Sequence, residues 1–191
     1  MGNREALLDA ARQCLYEKGY ARTTLRDITK AAGGVSMAAV GYHFGSKEAL
    51  MEQALAGASA EWGRALGAAL QGLELPADAT PVERFEAVWS RVIASFAEYR
   101  QLWSATFDVI GQIDHQPQVR EHLAAGLHEA REGLARMFAG PGDDLAGEPA
   151  REIGNFHQAL LTGVMAQHLI DPATAPTARQ LAGALARITG G

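Results

Sequence analysis

Along the first fifty residues, apolar positions recur at helical spacing in short, punctuated runs. Leu7, Ala11, Cys14 and Leu15 form one stripe, with Asn3 and Glu5 suited to the start of a helix and Gly19 to its end. The pattern resumes in TTLRDITKAAG, where Thr24 and Asp27 stand at capping-box spacing, Leu25, Ile28 and Ala32 share one side, and Gly33 stops the run. After Gly34, Ser36 can cap a third helix in which Val35 and Val40 are spaced as a hydrophobic staple; Gly45 ends it and Ser46 opens a fourth.

The rest of the chain is divided by ELPADATP, GPGDDLAGEP and DPATAP, each rich in turn formers. Helical blocks are expected from Glu48 to Leu73, from Val82 to about Gln112 as two helices, from Gln118 to Ala139, from Ala150 to Ile170 and from Thr177 to Ile188. Sparse β-branched residues and no alternating pattern predict an all-α fold of about nine or ten helices. Its N-terminal three-helix part, residues 1–47, would carry a helix-turn-helix, and residues 48–191 a larger helical body.

Two short helices joined by a glycine-containing turn are the arrangement that lays its second helix in a DNA major groove. On a helical wheel Val40 and Phe44 point to the core, Ala38 and Tyr42 point away from it, and Met37, Ala39 and Gly41 lie on the flanks. Such small outward side chains let the helix backbone sit deep in a groove. Tyr42 and Lys47 flank that face, where a phenol hydroxyl and an ammonium can bind phosphate oxygens. Arg, Lys, Asn and Gln, the usual makers of bidentate base contacts, are missing from it. Sequence would then be read by contact of Met37, Ala38 and Ala39 with thymine methyls and by DNA deformability. His43 leans toward the Val40 side, where a packed histidine and a DNA contact fit equally well.

The formal charge of −5 argues against a nucleic-acid binder until the chain is divided after Leu50. Before that point seven basic residues face five acidic ones, and all three lysines are there; the remainder carries ten against seventeen. A basic module on an acidic body suits a polyanion partner.

Together, TTLRDITKAAG and VSMAAVGYHFGSKEAL closely resemble the DNA-binding segment of the tetracycline-repressor (TetR) family of bacterial regulators, over roughly Glu5 to Leu55. The resemblance implies a homodimer that binds double-stranded DNA, with a divergent helical body holding an inducer pocket and the dimer contacts. It assigns phosphate contacts to Thr24, Tyr42 and Lys47, and groove contacts to Ser36, Met37, Ala38, Ala39 and Gly41, with His43 beside them. Three features depart from the family pattern. Gly33-Gly34 adds one glycine to the turn, the tyrosine comes one position late, and Met37 stands where lysine is common.

In the body, Phe85, Trp89, Val92, Phe96, Tyr99, Trp103, Phe107 and Ile110 approach a sustained helical stripe whose default role is core. The inducer pocket implied by the resemblance would be lined or bordered by Trp89, Phe96, Trp103, Phe107, His157 and Met165, and would hold a small apolar effector. IGNFHQALLTGVMAQHLI has two apolar faces, one through Ile153, Phe156, Leu160 and Val164, the other through Leu161, Met165 and Leu169. With Leu181, Leu185 and Ile188 of the last helix, Phe156, Leu160, Leu161 and Val164 would build a two-fold four-helix dimer interface. Alternatively, both faces lie inside one subunit.

Other chemistry is weakly represented. The lone Cys14 excludes an internal disulfide. His115, His122 and His128 are spaced seven and six residues apart, too far along a helix to share one metal ion easily. No nucleophile-and-base pattern appears, so neither an enzyme nor a cofactor is expected. No apolar run approaches membrane-spanning length and no secretion signal is evident, which suits the cytoplasm. Two rival readings stand beside the ligand-responsive repressor: an all-helical carrier or enzyme with a non-functional helix-turn-helix, and a regulator that answers to a protein partner.

Overall fold

The structure, a computed structural model, describes residues 2–76, 78–111, 113–114, 117–138 and 147–190. The described residues contain no strand. Their helices are α1 Asn3–Lys18, α2 Leu25–Ala31, α3 Met37–Phe44, α4 Lys47–Gln71, α5 Pro81–Glu98, α6 Arg100–Ile110, α7 Pro117–Phe138, α8 Gly147–Ile170 and α9 Ala178–Thr189. None of these is long and apolar enough to cross a membrane. They form two compact units, Met1–Trp62 with Tyr99–Leu123, and Gly63–Glu98 with Ala124–Gly191.

In the first unit α1 packs against α2, α3 and α6. The apolar stripe of α1 is covered by its neighbours, with Leu7, Ala11 and Leu15 fully buried, as are Ile28, Leu50, Met51 and Leu102. Complete burial of such Leu, Ile and Met side chains stabilises by roughly 1.5–3 kcal/mol each. The start of α1 differs from the sequence expectation: Gly2, not Asn3, holds the cap position, and its N–H donates to a Glu5 carboxylate oxygen at 3.3 Å. Gly19, at φ 80°, ends the helix as expected, its N–H bonding the Leu15 carbonyl.

The second unit is built on α5, which packs against α8 and α9. Phe85, Val88, Trp89, Val92 and Phe96 are buried along one side of α5, meeting Leu161, Val164 and Met165 of α8 and Ala178 and Ala182 of α9 in a common core. Thr177 caps α9 by accepting the Gln180 N–H. The aromatic stripe read as nearly continuous in sequence is broken at Tyr99, whose φ of −98° and ψ of 21° separate α5 from α6. The stripe therefore serves two cores: Phe96 belongs to the second unit, whereas Trp103 stands edge-on to Trp62 in the first, with ring centroids 4.7 Å apart.

Within the second unit α7 and α8 meet at Gly154. A methyl group there would collide with the Arg131 carbonyl, coming within 2.9 Å of its carbon. Both groups are on helical backbone, so relief requires moving a helix. Gly154→Ala is expected to destabilise the fold by about 1–3 kcal/mol, as overpacking does. The Gly133→Ala control, which has open space, should be neutral or mildly stabilising. Urea midpoints compared at constant slope would decide, and equal midpoints for Gly154→Ala and the parent would refute the close crossing.

Candidate nucleic-acid interface

The second helix of the motif is positioned by the end of the first. Thr23 and Thr24 divide the labour: the Thr23 hydroxyl is buried and donates to the Gly19 carbonyl at 2.7 Å, whereas Thr24 is exposed and caps α2. Thr24 Oγ1 accepts the Asp27 N–H at 3.2 Å and donates to Asp27 Oδ2 at 2.7 Å, and the Thr24 N–H donates to the same carboxylate. Both halves of the expected capping box are thus present. Asp27 also pairs with Lys18 at the last turn of α1. This lysine, with the two Thr24 hydrogen bonds, holds the Asp27 carboxyl far below the usual carboxylate range and raises the pKa of Lys18. With the Thr24 donors engaged, an incoming phosphate oxygen would meet the open first-turn amides of Leu25 and Arg26.

The two-glycine turn accommodates the additional residue by its backbone conformation. The Gly33 N–H bonds the Lys30 carbonyl and the Gly34 N–H the Thr29 carbonyl, the paired pattern of a Schellman end. Gly33 and Gly34 take φ values of 79° and 84°. These are left-handed angles at which an L side chain is strained. The chain leaves α2 in this sharp turn and reaches Ser36, whose Oγ accepts the Ala39 N–H and starts α3.

Helix α3 presents the faces the wheel predicted. Val40 and Phe44 are buried, while Ser36, Met37, Ala38, Gly41 and Tyr42 are exposed and Ala39 is half-buried. Tyr42 is 87% exposed and Met37 59%, so this side of the helix is not covered by the chain itself. His43 is half-buried between two rings, edge-on to Tyr42 at 4.9 Å and to Phe44 at 6.3 Å. Ser46 caps α4 by accepting the Ala49 N–H at 3.0 Å. Lys47 follows, and its Nζ donates to the Thr23 carbonyl at 3.2 Å, with a Glu48 carboxylate oxygen 3.7 Å away. That bond brings Lys47 to the N-terminal edge of α2, beside Thr24, although 23 residues separate them.

Three basic side chains were counted in the sequence but not placed. Arg22, Arg26 and Lys30 are exposed at intervals of four residues, Arg26 and Lys30 on α2 itself and Arg22 donating to the Lys18 carbonyl. Their regular spacing was the signal available. Arg4 was likewise unassigned; its guanidinium lies 5.2 Å from the centre of the Phe44 ring and donates to Gln53 Oε1 at 2.9 Å.

The residues proposed to line a ligand pocket are divided between the units. Trp103 and Phe107 belong to the first; Trp89, Phe96, His157 and Met165 belong to the second, all four of them buried. Among the latter, the Trp89 Nε1–H donates to His157 Nδ1 at 3.4 Å, and Phe138 stacks on the His157 ring with centroids 3.4 Å apart. Phe96 stands edge-on to His168. Gln112 and His115 lie outside the described residues, and the described ones contain no metal-binding group of three His, Cys, Asp or Glu.

Of the residues assigned to a dimer interface, Phe156 is exposed and Leu160, Leu181 and Leu185 are half-buried. Leu161 and Val164 are covered by their own chain. Val164 thus goes with Leu161 and Met165 on the inner side of α8, and not with Phe156 as the two-face reading had it. The outward strip runs through Phe156, Ala159, Gly163 and Ile170.

Comparison with known proteins bears on both units. Residues 7–54 match the model for bacterial regulatory proteins of the tetR family, and residues 80–191 match a tetracyclin repressor-like C-terminal domain. None of the curated proteins matches the chain. Among solved structures, a candidate transcriptional regulator from Streptomyces coelicolor A3(2) is 24% identical with a TM-score of 0.71, covering 99% of each chain. The multidrug binding protein EbrR, complexed with imidazole, is 21% identical at a TM-score of 0.69, covering 98% of this chain and 94% of its own. GusR of Salmonella enterica is 23% identical at 0.61, covering 96% and 93%. At these identities the likeness is one of fold.

Burial lowers the pKa of His157 from 6.5 to about 4, because a charged imidazole has no water in the aromatic cluster. Above pH 6.5 the ring is neutral in folded and unfolded chains alike and contributes no pH dependence. Between 6.5 and about 4 the unfolded chain takes up a proton that the folded one refuses. Stability is therefore expected to fall across that window, by on the order of 3 kcal/mol in total. Denaturant unfolding followed by tryptophan fluorescence, parent against His157→Gln, measures it; a parent whose loss over this window is no larger than the variant's would refute the assignment.

Proposed function

The chain belongs to the tetR family of bacterial regulatory proteins, and from that premise we propose that it is a homodimeric repressor released from a palindromic operator by a small molecule. The observation that carries the DNA-binding part is the uncovered face of α3, with tiny side chains at its centre and Tyr42 and Lys47 at its edge. Each subunit lays α3 in a major groove, and the two grooves lie about one helical turn apart. Tyr42 and Lys47 hold phosphates there, together with the head of α2 that Thr24 caps. Ser36, Met37, Ala38, Ala39 and Gly41 approach the bases, with His43 at the margin. Exposed Arg22, Arg26 and Lys30 extend the basic surface along the phosphate backbone.

Residues 1–47 act as the reading head and 48–191 as the responsive body. Release follows if the effector binds one head spacing more tightly than the other, since a ligand indifferent to the two states shifts nothing. Support for a small-molecule effector comes from EbrR, a fold neighbour solved with imidazole and with proflavin. Buried Trp89, Phe96, Trp103, His157 and Met165, with half-buried Phe107, make an apolar effector the natural class. For the dimer, the outward strip of α8 supplies Phe156 and Leu160, and α9 supplies Leu181 and Leu185; Leu161 and Val164 back them from the core. The protein works in the cytoplasm, where operators are.

Gly41 supports the reading by its local inconsistency. It sits inside an exposed helix with open space around its α-carbon, where alanine would be the more stable choice. Gly41→Ala is expected to raise stability by about 0.5–1 kcal/mol while weakening operator binding. Gain on both counts would remove the groove-approach argument.

Operator fragments isolated by footprinting provide the direct test, titrated by fluorescence anisotropy over a salt series. The logarithm of affinity should fall with that of salt by about 0.9 per phosphate contact, so six contacts cost roughly a thousandfold between about 50 and 200 mM. Lys47→Ala should weaken binding to every sequence and lower that slope by about 1, and Tyr42→Phe should lower affinity without relaxing specificity. A chain that binds no DNA fragment in a salt-dependent way is not this regulator.

A further inference from the structure

The close contact at Gly154 leaves a cleft beside it, between one stripe of α7 and one of α8. It encloses about 540 Å³ and is lined by Arg131, Arg136, Arg151 and Asn155. Among the described residues the opposing charge on its wall is Glu132, so that lining carries three guanidinium groups against a single carboxylate. Glu132 is shared between His128, at 3.5 Å, and Arg136, at 3.9 Å, both of them long contacts on exposed side chains. Arg151 pairs with Glu148 at 3.1 Å, again on exposed side chains. Arg131 differs. Among the described residues its Nε–H, sealed from solvent, has no acceptor, and no ion pair joins this guanidinium to another of them.

Gathered guanidinium groups repel one another, and an oxyanion in the cleft relieves that repulsion; the Arg131 Nε–H, closed to solvent, gains an acceptor as well when the side chain turns toward it. Planar guanidinium forks match carboxylate and phosphoryl oxygens two at a time. Asn155 adds an amide that can donate, and Ala135 and Ala150 supply a small apolar lining. Among the described lining residues three positive groups less one negative leave a formal +2, reduced to +1 while Glu148 stays paired with Arg151, so an incoming dianion is fully matched when it displaces Glu148.

We propose that this cleft is a binding site for a small organic dianion, bearing two carboxylates or one phosphoryl group on a short aliphatic body. Its ligand class differs from the apolar effector proposed above. It rests on the regulatory reading only for its consequence at DNA, not for binding itself.

Isothermal titration of the full chain at about 0.15 M salt, where exposed charges are screened within about 8 Å, tests it with succinate, glutarate and glycerol 3-phosphate. Butyrate and cadaverine serve as controls. Saturable binding of at least one dianion is expected, about tenfold or more tighter than butyrate, with Arg131→Met and Arg151→Gln each weakening it by about tenfold or more. Whether the dicarboxylates or the phosphate ester bind tighter identifies the oxyanion. Arg151 is exposed, so Arg151→Gln, with Ala150→Leu to fill the cleft, decides the matter if Arg131→Met fails to fold. Absence of saturable binding by all three dianions, or affinity unchanged in Arg151→Gln and Ala150→Leu, overturns the proposal. DNA titrations on the same samples separate the two readings: dianion binding without DNA affinity sinks the regulator and leaves the cleft, and DNA affinity without dianion binding does the reverse.

Discussion

Helix α3 is only eight residues long and has two large side chains that its neighbours bury, Val40 and Phe44. Their burial fixes the rotation of the helix about its own axis, and everything attributed to its outer side follows. With those two positions inward, geometry turns Ala38 and Tyr42 outward and leaves Gly41 beside them. A helix this short has little stability of its own. The tertiary contact therefore makes the helix as well as orienting it. Arg4 reinforces the anchor by covering the Phe44 ring while tied to Gln53, so the start of α1, the end of α3 and α4 are joined at one place.

Around this anchor, polar side chains do structural tasks that also shape the edge proposed to meet phosphates. Asp27 satisfies Thr24 at the head of α2 and accepts Lys18 from the tail of α1, fixing the angle between the two helices through one carboxylate. Lys47 would be poorly placed at the first turn of α4, where the helix dipole disfavours a cation. The Thr23 carbonyl offsets that by giving its ammonium an acceptor. A Glu48 carboxylate oxygen 3.7 Å away compensates part of the charge, and the ammonium, with three donors, can still take a further acceptor.

The second unit follows a different logic. Its centre is aromatic, and His157, the buried ionisable group there among the described residues, is kept neutral by burial, while its Nδ1 accepts the Trp89 indole N–H and its ring stacks against Phe138. Near this dry cluster, the approach of α7 to α8 at Gly154 is tight enough to exclude a methyl group, and the adjoining cleft is charged. Apolar and ionic environments thus lie within one small helical assembly, set apart by which faces of α7 and α8 are turned together.

Much of the first unit was legible because its signals are local. Thr24 with Asp27, Ser36 with Ala39, the paired glycines and the spacing of Val40 and Phe44 each act within four or five residues, so the sequence alone determined the three-helix motif and its outward face. The caps and the α3 burial pattern agree with it residue by residue. Longer-range outcomes were decided only by tertiary structure. Nothing near Tyr99 announces that the aromatic stripe stops serving one core and begins serving another, since no Pro or Gly marks the break. Both sides of α8 are apolar enough to be inner, and periodicity cannot say that Val164 is buried while Phe156 is not. The Arg131, Arg136 and Arg151 grouping was equally hidden, because two of its members share a helix and the third arrives from another. Hydrophobic spacing specifies that a face will be covered; which face, and by what, depends on partners distant in the chain whose packing has no local code.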